Sequence, residues 1–263
     1  MLAFAENRPS IIGMIHVAAL PGTPRFAGNP DAIVEQAVIE AKRYQAGGID
    51  AIAIENMHDI PYLNREVGPE IVAMMTMVGQ AIKRETNLTC GIQILAGANQ
   101  AAVAVAQAAE LDFVRAEGFV FGHVADEGWM DAQAGELLRY RSQIGADHIP
   151  IFTDIKKKHS SHALTADVDL VETAKAAEFF LSDGLIVTGT ATGVAANLEE
   201  IAAVKAAVKL PVWVGSGVTL DNVKGYLAVC DGLVIGSWFK EDGHWSKPVE
   251  EERVKRLMEM VEG

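Results

Sequence analysis

Eight short apolar runs, each followed by a stretch with helical spacing, recur along this chain, and that alternation limits the folds open to it. The runs are IIGMI (Ile11 to Ile15), DAIAIE (Asp50 to Glu55), CGIQIL (Cys90 to Leu95) and DFVRA (Asp112 to Ala116). They continue with IPIFTD (Ile149 to Asp154), GLIVT (Gly184 to Thr188), PVWVG (Pro211 to Gly215) and GLVIG (Gly232 to Gly236). Most are apolar or β-branched on both faces, the pattern of parallel strands covered on both sides. The segments between them carry helix ends. Asn29-Pro30 supplies an N-cap and a first-turn proline, Ile33, Ala37, Ala41 and Tyr44 form an apolar stripe, and Gly47-Gly48 stops the helix. Asn197 is placed to cap a helix whose inward face carries Ile201, Val204 and Val208, and Pro69 opens another running to about Arg84.

Regular β-then-α order implies a parallel sheet, either open or closed on itself. The open form usually carries GxGxxG after its first strand, and IIGMIHVAALPG does not match it. A closed (β/α)8 barrel typically needs about 250 residues, and the chain has 263 without a low-complexity linker or composition break. The expected fold is therefore α/β, a single (β/α)8 TIM barrel domain over residues 1–263. Glu117 to Asp131 and Lys156 to Ala166 read as long loops after the fourth and fifth strands, positioned to cover a site.

Charge narrows the partners. The chain carries a net charge of −13 and shows no basic stripe, which argues against nucleic acid and against an anionic lipid surface. A small anionic ligand is still allowed, because backbone N–H groups can hold phosphate whatever the total charge. Cys90 and Cys230, without CxxC spacing, indicate neither a disulfide framework nor a zinc site. MLAFAENRPS lacks a charged region followed by a long apolar one, and no apolar run reaches the roughly 18 residues of a membrane span. The expectation is a cytoplasmic protein with no integral membrane association and no cofactor. A homo-oligomer fits a barrel, whose helical faces often pack on copies of themselves.

Barrel enzymes place their sites at the carboxyl ends of the strands. There stand His16, Glu55 with Asn56, Arg115 with Glu117, Asp154, and the small-residue turns of the last three strands. VGSGV and VIGSW put glycine and serine where backbone must approach a ligand closely, and TGTATG adds to them on the same side. Thr188, Gly189, Gly215, Ser216, Gly217, Gly236 and Ser237 are therefore candidate phosphate-binding residues; the plain alternative is tight turns. Asp154, followed by IKKKHSSH, is a candidate general base, with Lys156, Lys158 or His159 to stabilise negative charge. The alternatives are a cap or ion pair for Asp154 and a solvated loop for the lysines. Glu55 pairs with Asp154 as a candidate acid and base, or forms a salt bridge with a neighbour such as Arg115.

His16 fits a catalytic acid, an orienting donor, a metal ligand or a plain hydrogen-bonded barrel histidine. His16, Glu55, His58 and Asp154 lack HExxH-like spacing, so no metal is expected. Arg25 either meets a ligand phosphate or covers the mouth. His123, His148 and His162 carry little information, and the methionines of MMTMV read as core filler. GSG is not the GxSxG elbow of a hydrolase.

GMIHVAALPGTPR, AGGIDAIAIENMHD, DEGWMDAQAGELLRYR, FTDIKKKHS, DGLIVTGTATG, VGSGVTLDNV and DGLVIGSWFKEDGHWSKPVEEERV together resemble the BtpA family, in order from about residue 11 to 254. The resemblance implies a barrel of the ribulose-phosphate-binding group. The family is named for a cyanobacterial member needed for photosystem I accumulation, a peripheral thylakoid protein, yet many relatives come from organisms without photosynthesis. Where relatives often read VEN, a tyrosine and GD, this chain has Ile54-Glu55-Asn56-Met57-His58-Asp59. VRAEGFVFGH likewise departs after Arg115, so Glu117 is expected to set a ligand preference of this branch. Asp154, Glu55 and the glycine turns transfer more safely.

The leading expectation is an enzyme acting on a small phosphorylated metabolite, a sugar phosphate above all, by isomerisation, epimerisation or aldol-type cleavage. Asp154 and Glu55 would move protons and His16 or Lys158 would steady an oxyanion. The usual pentulose-phosphate epimerase arrangement is absent, since ILAG and VGSG end their strands without metal-binding residues. A non-catalytic assembly or stability factor and a phosphometabolite sensor stay open beside it.

Overall fold

The computed structural model describes residues 5, 7–189 and 195–262. Its strands are β1 (Ser10–His16), β2 (Ala51–Glu55), β3 (Thr89–Gln93), β4 (Phe113–Ala116), β5 (His123–Ala125), β6 (Gly128–Met130), β7 (Ile151–Ile155), β8 (Ser160–Ser161), β9 (Gly184–Thr188), β10 (Val212–Gly215) and β11 (Gly232–Ile235). The α-helices are α1 (Pro30–Ala46), α2 (Pro69–Glu85), α3 (Asn99–Ala109), α4 (Ala134–Gln143), α5 (Leu170–Phe179), α6 (Leu198–Ala207), α7 (Val223–Leu227) and α8 (Glu251–Glu262). Eight parallel strands close a barrel in the order β1-β2-β3-β4-β7-β9-β10-β11, with β11 returning to β1. All eight apolar runs are barrel strands. The end signals act as their chemistry requires: Asn29 accepts from the Ala32 N–H and Asn197 from those of Glu199 and Glu200.

The two long segments expected as loops that cover a site contain short strands. β5 and β6 form an antiparallel hairpin, and β8 adds to it by pairing Val124 with Ser161. Strands of two or three residues are too short to show the alternation that marks a strand in sequence.

The barrel interior is filled by aromatic rings, and its registry makes room for them. Phe113, Phe152 and Trp213 sit on neighbouring strands beside Gly91, Gly184 and Gly232, respectively. A Cβ on Gly91 would lie 2.2 Å from the Phe113 ring, and one on Gly184 would lie 2.3 Å from that of Phe152. Phe152 stacks on Trp213 at 3.7 Å, and Phe113 meets Trp213 edge-on at 5.5 Å. These rings, with Ile12, Met14, Ile186 and Val234, form a packed plug beneath the strand ends.

A second device recurs at the opposite, amino-terminal end. Asp50, Asp112, Asp183 and Asp231 precede β2, β4, β9 and β11. Their carboxylates accept the backbone N–H groups of Ile11, Cys90, Ile151 and Val212, each at or near the start of the preceding barrel strand, at 2.7 to 2.8 Å. Asp112, Asp183 and Asp231 also donate their own N–H to the carbonyl of that same residue. A basic side chain neutralises each carboxylate: Arg8, Lys83, Arg141 and Lys205 in turn. The strand starts are thus tied, and the carboxyl ends are left to build a site.

Candidate functional site

The carboxyl ends of β1, β2, β4, β10 and β11 surround a cavity of about 320 Å³, open to solvent on one side. Of the residues singled out in the sequence, His16, Glu55, Lys158, Ser216, Gly217, Gly236 and Ser237 line it. Thr188, Gly189, Gly215 and Asp154 are not in its wall. Gly215 pairs with Thr188 on the adjacent strand, and a Cβ on it would stand 3.9 Å from Arg115 Nη2. Thr190 to Gly193 of the TGTATG segment lie outside the described residues.

Two groups in the cavity wall are shifted by their surroundings. The His16 Nδ1 lies 2.6 Å from the Trp245 carbonyl oxygen, which can only accept, so Nδ1 carries the proton. That leaves the Nε2 lone pair facing Glu55 Oε2 at 3.8 Å. Burial, helped by the Lys240 charge, holds His16 well below the usual imidazole range. Burial also pushes Glu55 up, against the pull of Arg115 and Lys158. A neutral imidazole thus faces a carboxyl group biased toward its acid form. Gly236 leaves the ring room, since a Cβ there would stand 3.2 Å from Nε2, tighter than ordinary contact.

Asp154 is differently placed. Arg115 Nε and Nη2 bind its two oxygens at 2.9 and 2.8 Å, both partners buried. The ion pair weighed as an alternative is what forms, and Arg115 engages Asp154 and not Glu55. The cause is register: β4 and β7 are adjacent strands, and Arg115 pairs with Phe152, two residues before Asp154. The guanidinium, fixed by this fork, lines the cavity.

The lysine run is no solvated loop. Lys156 Nζ donates to the Thr165 carbonyl, and Lys157 Nζ is buried against Glu117 at 2.9 Å. Lys158 enters the cavity, and burial with the nearby Arg115 lowers its pKa. Glu117 also accepts from Gln93 and faces that buried network, away from the cavity wall. Asn56 and Asp59, in the segment that departs from relatives, are ties: Asn56 accepts from the Leu95 N–H and donates to Asp59, which accepts from Leu20. Arg25 is exposed and away from the cavity wall. Among the described residues no three His, Cys, Asp or Glu side chains group as metal ligands, and no helix is long and apolar enough to cross a membrane.

At the far end of the cavity the two small-residue turns face one another. Ser216 and Gly217 have φ of 75° and 68°, and Asn222 pins their turn by donating to the Gly217 carbonyl. Ser237 opens a short 3-10 helix, Ser237–Phe239. Arg253 of α8 completes this end, with its guanidinium 4.2 Å over the Trp238 ring and Nε donating to the Trp238 carbonyl. Sequence reading missed Arg253. A basic residue in the first turn of a last helix has no local signature, although the fold's habit of binding anions after its last strands pointed to this region.

Fold and mouth together define a (β/α)8 barrel with a cavity at its carboxyl end that joins a small-residue end to an acid–imidazole pair. Barrels of this fold are found among enzymes of phosphorylated compounds. Thiamine phosphate pyrophosphorylase from Pyrococcus furiosus superposes with a TM-score of 0.61 at 17% identity, covering 97% of this chain and 96% of its own. The (S)-3-O-geranylgeranylglyceryl phosphate synthase of Thermoplasma acidophilum, complexed with sn-glycerol-1-phosphate, gives 0.60 at 16% identity, with coverages of 97% and 94%. At such identity the likeness is one of fold. The chain itself belongs to the BtpA family, whose model matches residues 7–263. A mitochondrial protein of Caenorhabditis elegans is 46% identical over 97% of this chain and 94% of its own length. The photosystem I biogenesis protein BtpA of Synechocystis is 32% identical over 99% and 90%.

Proposed function

We propose that this protein is an enzyme that binds a small phosphorylated metabolite and moves a proton on it, in an isomerase or lyase reaction. The observation that carries the reading is the joining, in one cavity, of the Ser216–Gly217 and Ser237 turns to the His16–Glu55 pair. In this reading the phosphate sits between those turns and Arg253, and the reacting carbon lies beside Glu55. Glu55 gives or takes the proton, with the neutral His16 Nε2 facing it at 3.8 Å, and Arg115 steadies developing negative charge. Asp154, expected from sequence to be the base, becomes the group that holds Arg115 in place. Thr188, Gly189 and Gly215, outside the cavity wall, hold no phosphate in this reading. A cytoplasmic setting is part of the proposal, although the nematode relative's name puts that protein in mitochondria.

The test is thermal denaturation with inorganic phosphate and a panel of sugar phosphates, for the wild type, Gly217→Asp and Arg253→Ala. A ligand at 100 times its Kd stabilises the native state by about 2.7 kcal/mol. The expected result is a concentration-dependent rise in Tm that both variants lose while keeping their circular dichroism. No rise for any compound overturns the proposal. It would favour the second reading, a non-catalytic assembly factor, which the printed name of the Synechocystis relative supports.

A further inference from the structure

Three consecutive lysines follow β7, and they do three different things. Lys156 is tied to the Thr165 carbonyl, and Lys157 is neutralised by Glu117. The backbone turns into the left-handed region at Lys156 (φ 45°) and again at His159 (φ 55°), on either side of the remaining lysine. Non-glycine residues keep such dihedrals only where the surroundings over-determine them. The side chains of Lys156 and Lys157 are tied elsewhere, and Lys158 between the two turns lines the cavity. There it makes no ion pair within 4 Å among the described residues, although Glu55 and Arg115 share the same wall.

A lysine meant to remain a cation is normally given a carboxylate, as Lys157 is. We propose that Lys158 is a nucleophile, condensing with the carbonyl of a phosphorylated aldehyde or ketone to hold it as a Schiff base. The inference rests on the phosphorylated-metabolite reading of this cavity and names the functional group that such a ligand must carry. Burial and the neighbouring Arg115 both favour the neutral amine, the form that attacks.

The step balances with groups already present. Lys158 Nζ bonds to the carbonyl carbon while one amine proton passes to the carbonyl oxygen, giving a carbinolamine. Glu55, biased toward its acid form, then delivers a second proton to that oxygen. The C–O bond breaks, water leaves, and the nitrogen electron pair closes the C=N bond. A cationic imine and a Glu55 carboxylate remain, and that carboxylate is then a base for a proton on the carbon next to the imine. No oxidant or reductant is required.

The experiment is borohydride trapping with glyceraldehyde 3-phosphate, with glyceraldehyde as the phosphate-free control, read by intact mass and peptide mapping. It uses the full chain as wild type, Lys158→Met and Lys158→Arg, the latter keeping charge and bulk without a nucleophilic amine. We expect one reduced adduct, on the peptide holding Lys158, absent from both variants. It should form at least tenfold faster with the phosphorylated aldehyde and slow when inorganic phosphate is added. No adduct on Lys158, while phosphate still raises the Tm, overturns the Schiff-base proposal and leaves the phosphate site standing. Labels scattered over surface lysines at rates unchanged in Lys158→Arg overturn it too. A Lys158 adduct formed equally fast with both aldehydes supports the nucleophile and removes the phosphate reading.

Discussion

Lys240 has no solvent-accessible surface, and its ammonium lies 2.7 Å from the carboxylate of Glu40, itself 4% exposed, on a helix 200 residues earlier. Lys240→Met would remove one charge and leave the other buried among α1, β1 and the segment after β11. Breaking a buried pair from one side costs roughly 3–5 kcal/mol, because the remaining ion has lost its partner and gained no water. Unfolding entropy of about 2.1 cal/mol/K per residue, carried over 263 residues, translates that loss into a fall in Tm of roughly 5–9 °C. Calorimetry on the single variant checks the number, and the double variant Glu40→Leu/Lys240→Met checks the reason. With both charges gone the penalty disappears, and the double should return to within about 1 kcal/mol of the wild type. A single variant that loses less than about 1 kcal/mol, or a double no better than the single, refutes the argument. The substitution also has a reading in the site. Lys240 is second only to burial in holding His16 down, so the imidazole of Lys240→Met should titrate closer to its ordinary 6.5 by NMR.

Three further outcomes follow from the packing and the site. Glu55 ionises near 4.5 when unfolded and higher when folded, so its burial destabilises the protein increasingly as pH rises above 4.5. Glu55→Gln should therefore gain Tm over the wild type as pH rises from 4 to 8, and a gain that does not change with pH contradicts this. Gly184→Ala places a methyl 2.3 Å from a Phe152 ring already stacked on Trp213, costing about 1–3 kcal/mol in urea unfolding; adding Phe152→Leu should recover part of it. Asp112→Ala removes the acceptor of the Cys90 N–H and should cost about 1–3 kcal/mol. Lys83→Ala removes only a partly exposed ion pair and should cost less than about 1 kcal/mol. Equal losses would mean that the charge, and not the backbone acceptor, holds the strands.

What was legible in the sequence is what depends on one short stretch at a time. Ile11 to Ile15 is apolar on both faces wherever it goes, and Asn29-Pro30 caps a helix through groups three residues away. The cavity-facing position of Glu55 follows from strand order alone. What was hidden depends on registry between distant strands. The fork of Arg115 on Asp154 needs β4 and β7 aligned to the residue, the Trp245 carbonyl reaches His16 across 229 positions, and Arg253 comes from the last helix. Three adjacent lysines look alike in sequence and part only when Thr165, Glu117 and the cavity are in place. The phenylalanine–glycine contacts were hidden for the same reason, since Gly91 and Phe113 are neighbours only through pairing.

The aspartates at the amino-terminal end join the barrel strands two by two: β1 with β2, β3 with β4, β7 with β9, and β10 with β11. The ring is therefore modular, four quarter-barrels each sealed by its own clasp, and its seams differ in kind. A circular permutant opened between α4 and β7 cuts between modules and keeps each aspartate in continuous chain with the backbone N–H it accepts, although Arg141 is parted from Asp183. One opened between α3 and β4 puts the new terminus beside Asp112 and loosens a clasp from within. The first chain should refold as a barrel while the second loses cooperativity, so the places where this protein tolerates new ends are set by which strand each aspartate holds.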